Sequence, residues 1–564
     1  MTATNLPTTT PIDDSTDTGH DTGLAADDLP IGSMRMVKVD GHRVCLVRTA
    51  TGLHAVDHAC PHEGYGLTQG ELNGDLLTCA WHNWKFRVTD GACVQGEEDV
   101  QTHPVEVSPA GQVRVSVRRP DPEAARPRLT ESLRSGITNQ YTGQVARDVV
   151  RLLKASADPG QLIWEAIAYG APRAEFGWGH SVASATDCLS MVDLYDGDQR
   201  ALPIVQGIMG IAESERGRPV NELPSPGDPG AATERAFRAA VEAERLAEAQ
   251  SLVLAAIERG DSAAELRPWF TGVVSDHHLS YGHGAIYSQK AFELLEMIGW
   301  DRAATVLPHL VPTLVFGTRE DKLPYMRPFG RALAETDLAA PVDADVDPDW
   351  SDDGRLLGAL LGDERSAPVD ATAAALHEGA GIDGVLDVVV QAVSERMLRY
   401  DTDGEFDFAD DFGWLDITHG LTYANAVRWH HRQAIERSGP TPDLVRLAMF
   451  TAFLAQWTGR HEWHTSIGPR AEVAPLASDP KTYADELQRQ SLLDGTSAFI
   501  VHAHAVKTSR AAAVEARRAG STLPLDAAAR FLAAPKLERF VAATVERSID
   551  FLNGRTQRDR HSAD

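Results

Sequence analysis

Two pairs of cysteine and histidine, set among hairpin turns, constrain this chain more than any other feature. The segment ACPHEGYGLTQGELNGDLLTCAWHNWKF carries Cys60-Pro-His62 and, sixteen residues later, Cys79-Ala-Trp-His82. From about Met34 to Val117, tight-turn dipeptides recur at Asp40-Gly41, Asn73-Gly74, Asp90-Gly91 and Ala110-Gly111, between alternating runs such as MRMVKVD, HRVCLVRT and QVRVSV. Asn-Gly and Asp-Gly tolerate the positive φ of two-residue hairpins, so the spacing predicts a small all-β unit with each Cys/His pair on a loop. The texture then changes. RRPDPEAARPRLT, with three prolines in thirteen residues, reads as a linker, and beyond Leu129 apolar residues recur at helical spacing. Pro535–Gly554, 231–259 and 285–298 (closed by Gly299) are the clearest helical stretches, while 217–230 and 336–354 read as surface loops. The expected architecture is multidomain, a small all-β domain followed by a large, mostly all-α domain. Its parts are a disordered tail over 1–29, the β domain over 30–118, a linker over 119–130, the helical domain over 131–555 and a tail over 556–564.

Two thiolates and two imidazoles suit either of two centres. One is a tetrahedral zinc. The other is a [2Fe–2S] cluster with both Cys on one iron and both His on the other. The spacing Cys-x-His, Cys-x-x-His resembles the Rieske family, as do Gly64 and Gly66 after the first pair, Trp84 and Phe86 after the second, and the Gly91 hairpin. The resemblance covers residues 30–118 and implies one [2Fe–2S] cluster per chain, held by Cys60, His62, Cys79 and His82. Neutral imidazoles in place of two thiolates leave the cluster less negative and raise its potential. Members of the family in respiratory complexes carry a further cysteine after each pair. Here Glu63, Gly64, Tyr65, Asn83 and Trp84 stand in those places. The resemblance is therefore to ferredoxin-like and oxygenase-type modules and to the small-subunit type of nitrite reductases. Cys45 and Cys93 read as packing residues.

Composition narrows the class of partner. Eighty-one acidic residues against 53 Lys plus Arg give a formal charge of −28, which argues against binding nucleic acid or an anionic membrane surface. No run approaches the ~18 apolar residues of a membrane span. Five cysteines are too few for a disulfide framework and fit a reducing, cytoplasmic setting. The chain shows neither a GxGxxG after a strand nor a P-loop, so an external reductase is the expected electron donor.

The helical region is rich in histidine: His180, His277, His278, His283, His419, His430, His461, His464, His502 and His504. Three readings stay open. SYGHGAIYSQKAFELL, ITHGLTYANAV and IVHAHAVKTSRA resemble His-bearing helices of the questin oxidase-like family, whose founding activity is oxygen-dependent cleavage of an anthraquinone ring. That resemblance carries over His283, His419 and His504 as candidate catalytic positions, and with them a small hydrophobic or aromatic substrate. His419, Tyr423 and His430 would share one helical face, and the small residues Ser280, Gly282 and Gly284 would let a substrate or second helix approach His283. In the second reading, a Rieske oxygenase holds an additional iron at His278 and His283, with Asp276 one residue short of the usual ligand spacing. In the third, the chain is a plain electron carrier whose helices dock protein partners.

Overall fold

A computed structural model describes residues 19–554, except 97, 119–120, 343–344, 407–411, 436–438, 460–468 and 497. His461, Trp463 and His464 lie outside the described residues. The chain divides after Arg128 into two compact units.

The first unit consists of three small antiparallel sheets. β1 (His20–Ala25), β11 (Gln112–Val115) and β10 (Val105–Val107) form one. β2 (Met34–Val39), β3 (His42–Thr49), β4 (Gly52–Asp57) and β9 (Thr102–His103) form the second, and β5 (Glu71–Asn73), β6 (Leu76–Thr78), β7 (Lys85–Arg87) and β8 (Cys93–Gln95) the third. The four expected turn dipeptides join β2 to β3, β5 to β6, β7 to β8 and β10 to β11, with Gly41, Gly74, Gly91 and Gly111 all at positive φ. Alternation along MRMVKV sends Val37 and Val39 inward and leaves Met36 exposed. One apolar core gathers Val44, Leu46, Val113 and Val115. A second gathers Val47, Val56, Leu67, Leu77 and Phe86 directly around Cys60 and Cys79. Each such aliphatic side chain, fully buried, contributes about 1.5–3 kcal/mol, so the loops carrying the cysteines rest on a rigid floor.

Two boundaries differ from expectation. Residues 20–25, expected within a disordered tail, form β1: His20 pairs with Val115, and the Thr22 hydroxyl donates to the Val113 carbonyl at 2.8 Å. HDTGLA has no strand-like alternation; the partner strand supplies its order. The expected linker is helical from Pro122, the first residue of Pro122–Asn139, where proline's missing N–H costs nothing.

The second unit is helical. The stretch 231–259 forms two helices, Glu234–Glu242 and Leu246–Arg259, and 285–298 lies within His283–Ile298, closed by Gly299 at φ 106. Within 535–554 only Val541–Leu552 is helical, and Phe551 and Leu552 are exposed. At the centre, His180–Ser190, His283–Ile298, Trp414–Ile435 and Phe499–Ala519 make a closed ring in which each helix packs on the next. These four are buried on most sides, so their stability comes from packing on neighbours. Arg428 and Glu515 lock two of them together. The Arg428 guanidinium donates to Glu515 Oε2 at 3.0 Å, Asp383 Oδ1 at 2.6 Å and Asp387 Oδ1 at 2.8 Å, and Asn425 donates to Glu515 Oε1 at 2.9 Å. No described helix is long and apolar enough to cross a membrane.

Candidate functional site

In the β unit, Cys60 and His62 sit on the loop after β4, and Cys79 and His82 on the loop joining β6 to β7. The two loops share a design. Cys60 N–H donates to the Tyr65 carbonyl and Cys79 N–H to the Trp84 carbonyl, each at 2.8 Å, so each cysteine binds the residue five places on. Gly64 (φ 78) and Asn83 (φ 58) supply the left-handed residue that turns each loop. The thiols lie on the dry floor, both residues 2% exposed, and burial pushes Cys60 up to about 12, with the adjacent Cys79 adding to the shift. The imidazoles form the outer rim: His62 Nδ1 and His82 Nδ1 stand 3.0 Å apart. His62 stacks on Trp84 and Tyr65 on Trp81, which is 56% exposed. Two sulfurs below and two Nδ1 atoms above, converging from matched loops, are a donor set that fits a [2Fe–2S] cluster with distinct ends. Cys45 lies in the core and Cys93 packs against its edge, as expected.

Asp57 closes the base of the first loop. Its Oδ1 accepts from His42 Nε2 at 2.6 Å and His103 Nε2 at 2.9 Å. Burial raises the Asp57 carboxyl, but the hydrogen bonds and charges of His103 and His42 outweigh it and hold the group below the usual carboxylate range. A folded-state pKa below the unfolded one stabilises the fold above the unfolded value of about 3.9 and loses that stabilisation as pH falls through the folded value. Asp57→Asn is therefore expected to lower the melting temperature of the β unit near neutrality and to flatten its decline below about pH 4, followed by thermal melts across that range.

In the helical unit, one histidine from each helix of the central ring meets the others. His180 and His283 are the first residues of their helices; His419 and His504 lie further along theirs. His283 Nε2 is 2.8 Å from His419 Nε2, and His180 Nε2 is 3.0 Å from His504 Nε2. Ligand atoms of His180, His419 and His504 all lie within 4.8 Å of one another. His419 and His504 are buried, while His180 and His283, at the starts of their helices, are partly accessible as residues. Burial drives all four imidazoles toward the neutral form, His419 to about 3, and Lys507 adds to the effect. Lys507, one turn beyond His504, is buried without a hydrogen bond, and burial lowers it to about 7. Tyr287 donates to or accepts from His180 Nδ1 at 3.1 Å.

The approach to His283 is strained. Ser280 (φ 47), Tyr281 (φ 57) and Gly282 (φ 86) are consecutive left-handed residues. A Cβ at Gly282 would meet the Tyr423 ring at 2.4 Å, so glycine there admits the Trp414–Ile435 helix. Buried Glu320 accepts from Tyr281 N–H at 2.6 Å and fixes the segment. Non-glycine residues in this conformation cost on the order of 1 kcal/mol or more each, and they persist where surroundings over-determine them.

Of the residues expected here, His283, His419 and His504 come together. His180 joins them unanticipated, although four buried helices each presenting a histidine leave no spacing signal in sequence. The proposed iron at His278 and His283 with Asp276 does not assemble. Arg238 holds both oxygens of Asp276, His278 packs against Phe450 and Tyr423, and among the described residues these three do not form a ligand group. His430 shares the helix of His419 but is held by Thr271 and the Ala285 carbonyl, away from the ring. Tyr281 stands 5.7 Å from the His419 ring. His502 lines a separate cleft of about 1180 Å³.

The β fold and its matched Cys/His loops define a Rieske-type iron–sulfur protein. A profile of the Rieske [2Fe-2S] domain matches residues 23–108. The chain is 41% identical over 68 residues to the ferredoxin component of the alkene monooxygenase system of Xanthobacter autotrophicus, which covers 12% of this chain and 56% of that protein. It is 31% identical over 83 residues to the ferredoxin component of the naphthalene 1,2-dioxygenase/salicylate 5-hydroxylase systems of Ralstonia sp, covering 14% of this chain and 80% of that one. The ferredoxin of carbazole 1,9a-dioxygenase from Nocardioides aromaticivorans IC177 aligns with 18% of this chain and all of its own, at 24% identity and a TM-score of 0.17. Through its β unit the chain belongs to the Rieske [2Fe–2S] family, and it binds a [2Fe–2S] cluster.

Proposed function

We propose that the chain is an oxidoreductase whose cluster is held by Cys60 and Cys79 through sulfur and by His62 and His82 through Nδ1. A separate reductase supplies its electrons, and they serve oxygen-dependent chemistry at the histidine ring of the helical unit. The substrate is a small hydrophobic or aromatic molecule. Bound there, the cluster supplies single electrons at a potential raised by its two neutral ligands. The buried thiols anchor it in the core, and the exposed His82 and Trp81 give a redox partner its nearest approach. The ring of His180, His283, His419 and His504 carries the reading, because three convergent imidazoles with a fourth beside them, all held toward the neutral form, make a reactive centre that a docking module does not need. The ferredoxin components of oxygenase systems that match the β unit support an oxygen-linked role. Fusion in one chain raises the local concentration of donor near acceptor to the order of millimolar.

The carrier reading has one observation in its favour: those relatives are named as ferredoxin components. Dioxygen uptake separates the two. With chemically reduced chain and a panel of aromatic compounds, wild type is expected to consume dioxygen beyond the autoxidation of the cluster. His283→Ala, His419→Ala and His504→Ala are each expected to fall to that background while retaining the cluster spectrum. Wild-type uptake at background throughout, or uptake unchanged in all three variants, contradicts the reading.

A further inference from the structure

We propose that His180, His419 and His504 bind one divalent first-row transition-metal ion, with His283 Nε2 at its edge 2.8 Å from His419 Nε2, a second metal centre distinct from the iron–sulfur cluster. It deepens the reading above, which needs an electron acceptor in the helical unit, yet it stands on its own geometry.

The tautomer of His504 carries the argument. The Thr418 hydroxyl gives its only hydrogen to the Leu415 carbonyl at 3.0 Å. At 3.2 Å from His504 Nδ1 it therefore accepts, so His504 Nδ1 bears the proton. In a neutral imidazole with Nδ1 protonated, Nε2 is a bare lone pair. The His504 Nε2 thus aims a lone pair into the ring, at His180 Nε2 3.0 Å away. This is the pattern of metal-bound histidine, with the outer nitrogen held by a second group that fixes ring and tautomer.

The distances agree. Nitrogens about 2.1 Å from one ion stand roughly 3.0–3.4 Å from their nearest neighbours; His180 and His504 stand 3.0 Å apart, and His283 and His419 slightly closer at 2.8 Å. The wider spacing of His180, His419 and His504 stays within 4.8 Å. The donors are all nitrogen, with no carboxylate among them, which disfavours calcium and magnesium and suits iron, copper, nickel or zinc.

Metal and sulfide analysis of the full-length chain, paired with cobalt titration, tests this. Wild type is expected to hold two irons and two sulfides plus close to one further equivalent of a transition metal. His419→Ala/His504→Ala should lose that equivalent and keep both sulfides, whereas Cys60→Ser/Cys79→Ser should lose sulfide and keep it. Because a variant can fail to fold, chelator-treated wild type is titrated with cobalt(II) alone; visible ligand-field bands saturating at one equivalent support the site. Two irons, two sulfides and no further metal, together with no such bands, overturn it and leave a purely hydrogen-bonded histidine ring. A bound metal without dioxygen uptake would instead sink the functional reading and leave the site standing; uptake without metal would do the reverse.

Discussion

Replacing Cys79 with alanine is expected to abolish the iron–sulfur chromophore, with sulfide falling from two per chain to none. Cys79 sits on a dry floor beside Cys60, so its removal takes away one of the two sulfur donors that anchor the cluster there. His82→Cys is expected to act differently. It keeps a ligand on the outer rim but adds a negative thiolate, so the cluster should assemble and its midpoint potential should drop by on the order of a few hundred mV, as between Rieske and all-thiolate centres. A redox titration followed in the visible range measures both variants. A potential unmoved by His82→Cys would show that His82 is not a ligand.

Arg428→Ala is expected to destabilise the helical unit by about 3–5 kcal/mol, the cost of leaving a buried partner charge uncompensated. Arg428 is 1% exposed and joins the His419 helix to Glu515, itself 1% exposed on the His504 helix. Removing the guanidinium strands Glu515 in the interior, where, among the described residues, Asn425 is left to donate to it. Glu515→Gln should cost less, because Asp383 and Asp387 still balance Arg428. Urea unfolding monitored by helical circular dichroism gives both values. Equal stability for wild type and Arg428→Ala would remove this network as the tie between two ring helices.

The β unit was legible because its information is local. Asp40-Gly41, Asn73-Gly74, Asp90-Gly91 and Ala110-Gly111 mark turns by the φ they permit, and Cys79 follows the Asn73-Gly74 turn by a few residues. β1 was illegible for the opposite reason: HDTGLA is ordered by Val113 and Val115, some ninety residues away. The ring helices fall between these cases. Trp414–Ile435 and Phe499–Ala519 are buried almost all round, so they lack the one-sided apolar stripe that sequence periodicity detects. His419 and His504 came from resemblance, while His180 had only its neighbours' chemistry to reveal it. A sharper signal was Lys507, a charged residue one turn from His504 in the otherwise apolar run IVHAHAVK, where burial needs a reason.

Electron paramagnetic resonance of the dithionite-reduced, full-length chain tests the central claim most directly. Histidine ligation at one iron predicts a rhombic signal whose average g lies well below that of all-thiolate [2Fe–2S] ferredoxins, accompanied by hyperfine coupling to two nitrogens that is lost in step with His62 and His82. A signal averaging near the all-thiolate value, or one without nitrogen coupling, would contradict it.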